Sequence, residues 1–259
     1  MKTFRNQQHR PKKSSLIIGR KPVIEALESG RQLERIYLLN NTGGEGIELI
    51  KKLAAENLVP VNKVPLEKLN SFNIDHHEGC VAIISKIQYL DLQQVISFVV
   101  EKGETPFFII LDGITDIRNI GGIARTAFCC GVQAIIIPEK GVGALHEDAM
   151  LTSAGALEKI AVCRVKNLMK AIDDLHLNGI KVLASEVKSE KNLFEIDFTL
   201  PCAIILGSEE KGISSSLLTI SDTSFKIPIV AEFDSLNVSV ATGIILFEGM
   251  KQRNFNNRL

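Results

Sequence analysis

The chain passes from strand to helix across the stretch Asp116-Ile117-Arg118-Asn119-Ile120-Gly121-Gly122-Ile123-Ala124-Arg125. An apolar run at residues 107–111 precedes it and predicts a buried strand. Apolar side chains then recur at helical spacing, with Asn119 positioned as the N-cap and Arg125 beside the apolar stripe. Open α/β sheets bind ligands in loops beyond the carboxyl ends of their strands. The polar loop before this helix is therefore a candidate ligand site.

Two later segments repeat the same order of strand, polar loop and helix or turn. A second apolar run, residues 202–206, is followed at once by Gly207-Ser-Glu-Glu-Lys-Gly212. A third strand end, Phe225-Lys-Ile-Pro228, is followed by a loop and then by Ser235-Leu-Asn-Val-Ser239, which opens an apolar helix reaching Met250. Three such loops in the C-terminal half predict one composite site.

These three segments resemble the signature motifs of the SpoU-type RNA 2′-O-ribose methyltransferases, within the SPOUT or trefoil-knot superfamily. The first resembles the Asn-x-Gly-x-x-x-Arg motif, at Asn119, Gly121 and Arg125. The second resembles Gly-x-Glu-x-x-Gly, at Gly207, Glu209 and Gly212. The third resembles Ile-Pro followed by Ser-x-Asn-x-Ser, at Ile227, Pro228, Ser235, Asn237 and Ser239. The resemblance implies an α/β fold whose catalytic domain is a trefoil knot, a feature that periodicity does not show.

The resemblance also implies S-adenosylmethionine as the methyl donor, held by backbone loops. No metal is expected, because the cysteines form no Cys-x-x-Cys pair and no fourth ligand stands at a suitable spacing from His76, His77 and Cys80. The positions that match the family's cofactor-binding residues are Gly207, Gly212, Ile227, Ser235 and Leu236. A glycine in such a loop lets the chain approach a ligand with no side chain in the way. Turn geometry alone for the glycines, and ordinary core packing for Ile227 and Leu236, are the alternative interpretations.

The acceptor that the resemblance implies is a ribose 2′-hydroxyl. The matching catalytic positions are Asn119, Arg125, Glu209, Asn237 and Ser239. Relatives are often described as using the arginine as the base, but a guanidinium stays protonated in proteins. We therefore expect Arg125 to hold a phosphate through two hydrogen bonds and to stabilise alkoxide charge, while Glu209 or a phosphate oxygen takes the proton. Helix capping, by Asn119 and by one of Ser235, Asn237 and Ser239, is the structural alternative.

Composition favours a globular protein of 259 residues, with 45% hydrophobic and 23% charged residues. No apolar run approaches the roughly 20 residues that span a bilayer, and the N-terminus lacks a signal-like apolar core, so a cytoplasmic location is expected. The net charge is zero, but residues 1–20 carry six basic residues and no acidic one, which suits phosphate binding or a solvated tail. The five cysteines form no Cys-x-x-Cys pair, and we expect them to be reduced and mostly buried.

The predicted organisation has a basic disordered tail at 1–14, a small α/β domain at 15–88, a linker at 89–104 and the methyltransferase domain at 105–259. Strands and helices alternate in the small domain, which indicates a layered fold. The turn at residues 75–79 resembles one in the RNA substrate-binding domain of many relatives, a domain related to kink-turn-binding ribosomal proteins. That likeness favours ribosomal RNA, with a guanosine of the large subunit as the target.

The prediction is a homodimeric RNA 2′-O-methyltransferase that pairs through its last helix, residues 238–251. One alternative is a transfer-RNA methyltransferase of the same class. Another is a non-catalytic RNA-binding protein that keeps the fold, against which the intact polar motif residues argue. Calorimetry with S-adenosylmethionine would separate an enzyme from a binder.

Overall fold

The computed structural model describes residues 15–74, 76–142, 145, 147–230 and 235–254. The predicted basic tail, residues 1–14, lies outside this part of the chain. The chain divides into two compact units. The first covers Met1–Lys86 with Leu145–Asp148, and the second covers Ile87–Ala144 with Ala149–Leu259.

The first unit is a four-stranded sheet covered by helices. Its elements are β1 (Leu16–Ile18), α1 (Arg20–Glu28), β2 (Leu33–Leu39), α2 (Glu45–Glu56), β3 (Val61–Val64), α3 (Leu66–Asn70) and β4 (Cys80–Ile84). The strand order is β1-β4-β2-β3, with β2 and β3 parallel and the other pairs antiparallel. Apolar side chains of α1 and α2 pack on one cluster of the sheet and those of α3 on another. This arrangement matches the predicted layered α/β domain.

The elements that follow along the chain alternate between strand and helix. They are β5 (Tyr89–Leu90), α4 (Leu92–Glu101), β6 (Phe107–Asp112), α5 (Ile117–Cys129), β7 (Ala134–Pro138), α6 (Glu147–Thr152), β8 (Ala161–Val165), α7 (Leu168–Leu177), β9 (Lys181–Ser185), β10 (Cys202–Gly207), α8 (Ser215–Ile220), β11 (Thr223–Phe225) and α9 (Val238–Asn254). Within the described residues, none of the helices has both the length and the hydropathy to cross a membrane.

The sheet of the second unit is parallel throughout and has the order β11-β9-β10-β6-β7-β8-β5. The continuous apolar runs of β6 and β10 are buried because a parallel sheet is covered on both faces. From β6 the chain moves outward to β7 and β8, and later strands fill the opposite side, so the order reverses between β6 and β10. Ligands bind at such a reversal, here beside the pair Asp112 and Gly207. The trefoil knot stays a prediction, because strand order alone does not define how a chain is threaded.

The whole segment expected as a linker, residues 89–104, instead belongs to the second unit. Strand β5 pairs with β8 at the sheet edge. Helix α4 buries four apolar side chains in the core of this unit, namely Leu92, Val95, Ile96 and Val99. A short helix followed by a polar stretch suggested a domain junction here, but the apolar spacing of the helix is that of one packed by a single face.

Four of the five cysteines are buried, and Cys129 is exposed. Burial raises the pKa of Cys80 and of Cys163 to about 12, and that of Cys202 to about 11. A thiol with so high a pKa stays protonated and packs as a small hydrophobic group.

Arg253, near the end of α9, fastens this helix to the amino-terminal ends of β6 and β10. Its guanidinium donates to the carbonyl oxygens of Thr105 (2.8 Å), Pro106 (3.0 Å), Phe198 (2.7 Å) and Leu200 (2.8 Å). It also lies 4.3 Å from the ring centroid of Phe107, a cation–π distance. Burial lowers the pKa of Arg253. One planar side chain thus satisfies four backbone acceptors, an arrangement that a lysine cannot reproduce.

Replacing Arg253 with lysine is expected to lower the free energy of unfolding of the second unit by about 2 kcal/mol, because most of the four acceptors lose their donor. Urea unfolding followed by circular dichroism measures the change. Lys251→Ala is the matched control, because the exposed Lys251 side chain forms an ion pair with Glu248, and ion pairs at the surface contribute about 0–1 kcal/mol. Equal stability of the Arg253→Lys variant and the wild type would show that the four contacts are dispensable.

Candidate active site

Helix α5 begins earlier than the sequence pattern predicted, and Asp116 is its N-cap. The Asp116 side chain accepts a hydrogen bond from the backbone N–H of Arg118 at 2.9 Å, and this bond lowers the pKa of Asp116. The prediction that Asn119 caps the helix is therefore wrong. Asn119 lies in the first helical turn because the short carboxylate of Asp116 reaches the free N–H groups first. Its carboxamide is left available for contacts outside the helix.

Glu209, in the loop after β10, connects the three predicted motifs. One oxygen of its carboxylate, Oε1, accepts hydrogen bonds from Asn119 Nδ2 at 3.3 Å and from Asn237 Nδ2. The backbone N–H of Val238 also donates to this oxygen, at 3.4 Å. Asn237 Nδ2 lies 3.1 Å from Asn119 Oδ1, which closes the triangle. Residues far apart in the sequence thus hold one another in a single polar cluster.

Asn237 has a second role, as the cap of α9. Its Oδ1 accepts from the backbone N–H groups of Ser239 at 3.0 Å and Val240 at 3.4 Å, and from the Ser239 hydroxyl. Because the oxygen faces the helix, the amide nitrogen must face Asn119 and Glu209. The structural and the functional interpretation of this residue are therefore compatible, since its two ends do different work.

The loop from Gly207 to Gly212 folds back on itself. The N–H of Gly212 donates to the carbonyl of Ser208 at 2.8 Å, and the N–H of Ser208 donates to the carbonyl of Gly212 at 3.2 Å. A Cβ atom on Gly207 would lie 2.2 Å from the carbonyl carbon of Gly212, which is impossible without moving backbone. Gly212 has a φ of +65°, which favours glycine. Both glycines are thus required by the turn itself.

A cleft of about 280 Å³ opens beside this loop, near the lower end of the roughly 300–1,000 Å³ typical of ligand pockets. It is lined by all five positions that the sequence predicted for the cofactor, namely Gly207, Gly212, Ile227, Ser235 and Leu236. Apolar side chains and loop backbone on its walls suit a nucleoside and a sulfonium. The charged side chains of its lining suit the charged ends of an amino acid. The residues present therefore fit S-adenosylmethionine.

A second cavity, of about 380 Å³, adjoins the cleft on the side of α5. We call it the side cavity; its lining includes Asp116, Asn119 and Glu210. Four residues line both spaces, namely Ser208, Glu209, Lys211 and Val238. The Glu209 cluster thus stands between two adjoining spaces, as a site that brings two substrates together requires.

Arg125 lies on the exposed surface of α5 and lines neither cavity. In the part of the chain that the structure describes, its guanidinium has no hydrogen-bond or ion-pair partner. A long side chain on a helix points toward the N-terminus and covers the preceding turn, which for Arg125 contains Gly121 and Gly122. A Cβ on Gly121 would lie 2.0 Å from Thr152 Oγ1, whereas one on Gly122 would make ordinary contact with Ser239. Among the five predicted catalytic residues, Arg125 alone has no hydrogen bond to the others within the described part of a single chain.

The motifs in the sequence did not point to the loop after β9. This loop contributes Glu186 and Lys188 to the cleft. Strand β9 lies between β10 and β11 in the sheet, so the loop after it faces the glycine loop. The available signal was a charged residue, Glu186, two positions after the apolar run at residues 182–184. The three motifs were found from the same pattern, in which polar residues follow an apolar strand.

Comparison with known proteins identifies the family of the chain. Residues 106–247 match the model of the SpoU rRNA methylase family, and residues 16–90 match that of the RNA 2′-O ribose methyltransferase substrate-binding domain. A Bacillus subtilis protein assigned to the TrmH family of tRNA/rRNA methyltransferases is 32% identical over 249 residues, which cover 96% of this chain and 98% of the relative. The SpoU methyltransferase AviRb of Streptomyces viridochromogenes, solved with S-adenosylmethionine, has a TM-score of 0.59 at 21% identity and covers 92% and 90% of the two chains.

A third relative is a TrmH/SpoU tRNA-modifying enzyme of A. aeolicus, with a TM-score of 0.53 and 26% identity. The match covers 64% of this chain and 86% of the A. aeolicus enzyme. The chain belongs to the SpoU/TrmH family of RNA methyltransferases. It is an RNA-modifying enzyme whose methyl donor is S-adenosylmethionine.

Proposed function

We propose that the protein methylates a ribose 2′-hydroxyl of RNA, and that its target is a guanosine of large-subunit ribosomal RNA. The observation that carries the proposal is the cluster of Asn119, Glu209 and Asn237, which stands between the cleft and the side cavity. Two substrates held on either side of it would meet with little loss of orientation. A location in the cytoplasm stays part of this proposal.

The cleft would hold the cofactor through Gly207, Gly212, Ile227, Ser235 and Leu236. When bound there, S-adenosylmethionine supplies an electrophilic methyl group on a positively charged sulfur. The residues around it orient the donor and exclude water from one side. In the reaction, the 2′-oxygen forms a bond to the methyl carbon, the bond to sulfur breaks, and the hydroxyl proton leaves.

On the acceptor side, Asn119 and Glu209 would face the ribose. Glu209 accepts three hydrogen bonds at one oxygen, and its other oxygen can accept the hydroxyl proton or orient the hydroxyl. Ser239 and Asn237 hold this arrangement from the start of α9. Arg125 would stabilise the developing alkoxide while it grips a neighbouring phosphate.

Ribosomal RNA is favoured as the substrate by the first unit, because residues 16–90 match the model of an RNA 2′-O ribose methyltransferase substrate-binding domain. The test is methyl transfer from labelled S-adenosylmethionine to total RNA of a strain lacking the gene, followed by nucleotide mapping. We expect one 2′-O-methylguanosine in large-subunit RNA. Label in transfer RNA would overturn the ribosomal assignment and keep the reaction, whereas cofactor binding without transfer to either RNA would argue for the non-catalytic alternative.

We also propose that the enzyme acts as a homodimer through α9. Val240, Ile244 and Phe247 are exposed on this helix at a spacing that aligns them on one face. Phe194, also exposed, lies beside them along the same apolar groove. A patch of this kind on a soluble protein commonly marks an interface. Arg125 of one subunit would then complete the site that a single chain leaves without it.

Replacing Phe247 with glutamate is expected to convert the dimer to monomer, because a carboxylate would be buried without a partner. Light scattering coupled to gel filtration gives the mass, and methyl transfer gives the activity, which we expect to fall at least tenfold. Leu177→Glu is the control, since Leu177 is 85% exposed on α7 and far from α9 in the sequence. A fully active monomer of Phe247→Glu would rule out the shared site.

A further inference from the structure

Glu186 is the carboxylate of the cleft that the reaction leaves unassigned. It follows β9 and lines the cleft but not the side cavity. Its Oε1 accepts from the backbone N–H of Lys188 at 3.3 Å. Its Oε2 lies 3.9 Å from the position that a Cβ on Gly212 would occupy, so this oxygen faces the glycine loop. Within the described residues, Oε2 has no hydrogen-bond donor.

The other cleft carboxylate, Glu209, differs in its surroundings. Three donors converge on one of its oxygens, and it stands at the boundary with the side cavity, where the methyl group must be transferred. Glu186 is therefore available for the part of the cofactor that does not react. A carboxylate only accepts hydrogen bonds, so its ligand must offer donors.

The charges of the cleft decide which donors these are. Three lysines line it, namely Lys188, Lys211 and Lys226, and in the described part of the chain none of them has an ion-pair partner. They favour the carboxylate of the methionine moiety and disfavour a further ammonium nearby. The neutral donors of the cofactor are the two adjacent ribose hydroxyls and the adenine amino group. Hydrogen bonding of a ribose hydroxyl by an acidic residue is a known use of a carboxylate in nucleotide sites.

We propose that Glu186 is a cofactor-recognition residue that accepts hydrogen bonds from the 2′- and 3′-hydroxyls of the adenosyl ribose. The inference rests on the proposed function, because it requires the cofactor to occupy the cleft. It adds a fourth loop, the one after β9, to the three that the family motifs provide. Glu186 selects a ribonucleoside and takes no part in the methyl transfer.

The test is titration calorimetry of wild type and Glu186→Gln with three probes: S-adenosylhomocysteine, its 2′-deoxy analogue, and 5′-methylthioadenosine, which lacks the amino acid. We expect Glu186→Gln to weaken S-adenosylhomocysteine and 5′-methylthioadenosine alike, by about tenfold to a hundredfold, since hydrogen bonds to charged groups are the strong ones. Replacing S-adenosylhomocysteine with its 2′-deoxy analogue should lower the affinity of the wild type by a similar factor but change the affinity of Glu186→Gln little. The reason is that the substitution and the loss of the 2′-hydroxyl remove the same contact. Glu190→Gln, an exposed glutamate of the same loop, should bind all three probes normally.

Three results would overturn the inference. Weaker S-adenosylhomocysteine binding with unchanged 5′-methylthioadenosine binding would assign Glu186 to the α-ammonium. Additive losses in the cycle would mean that it acts indirectly, and unchanged affinities would mean that it makes no contact. If the wild type fails to bind S-adenosylhomocysteine, the proposal that the cleft holds the cofactor is overturned as well. If the wild type binds it and Glu186→Gln binds it equally tightly, only the inference about Glu186 is overturned. Thermal unfolding checks that Glu186→Gln is folded. The same binding measurements are repeated with Glu186→Asp, whose side chain is shorter but keeps the negative charge.

Discussion

Replacing Arg125 with alanine is expected to lower kcat/KM for RNA methylation by about 10²- to 10³-fold, the usual cost of removing a group that stabilises oxyanion charge. Stability should not change, because Arg125 is exposed and has no partner in the described part of the chain. Affinity for S-adenosylhomocysteine should not change either, because the residue does not line the cleft. Steady-state kinetics, thermal unfolding and calorimetry measure these three quantities.

Lysine at the same position tests how the charge is used. Arg125→Lys keeps the charge but loses the planar pair of donors, so we expect a loss of about tenfold to a hundredfold. Lys170→Ala, the removal of an exposed cation from α7, is the control for general electrostatic effects on RNA binding. Near-wild-type activity of Arg125→Lys with a displaced pH–rate profile would contradict bidentate phosphate binding and favour proton transfer by this side chain.

Replacing Gly207 with alanine is expected to lower the free energy of unfolding of the second unit by about 3 kcal/mol, at the upper end of the cost of overpacking. The new methyl would lie 2.2 Å from the carbonyl carbon of Gly212 and 2.4 Å from the nitrogen of Ile213, and neither is a side-chain atom that can turn away. The loop must open instead. Because this loop forms one wall of the cleft, affinity for S-adenosylhomocysteine should fall at least about tenfold as well.

Gly46→Ala serves as the control for a glycine-to-alanine change as such. Gly46 lies in α2, and a Cβ added there would have no atom within 4 Å, so alanine should be neutral or stabilise the helix by about 0.5–1 kcal/mol. Urea unfolding and calorimetry apply to both variants. If Gly207→Ala keeps both the stability and the cofactor affinity of the wild type, the close approach of the Gly212 backbone does not require glycine at position 207.

Local pattern carried much of the fold and of the site. The apolar runs of β6 and β10 and the stripe of α5 predicted those elements closely, since burial on both faces or on one face leaves its own periodicity. The residue at which α5 begins was predicted less reliably. Asp116 and Asn119 are both good N-cap residues, so the sequence alone does not choose between them. In the structure Asp116 caps the helix, and Asn119 instead contacts Glu209 and Asn237.

By itself, the sequence determined which residue types follow which strands, and therefore the chemistry available to the protein. The tertiary structure decided which of those loops meet. Strand β9 lies between β10 and β11, which brings Glu186 opposite the glycine loop, and Arg253 reaches backbone carbonyls far away along the chain. The reason is physical: neighbours in a parallel sheet are joined by long crossovers, so their pairing depends on packing across the whole unit and leaves no local mark in the sequence.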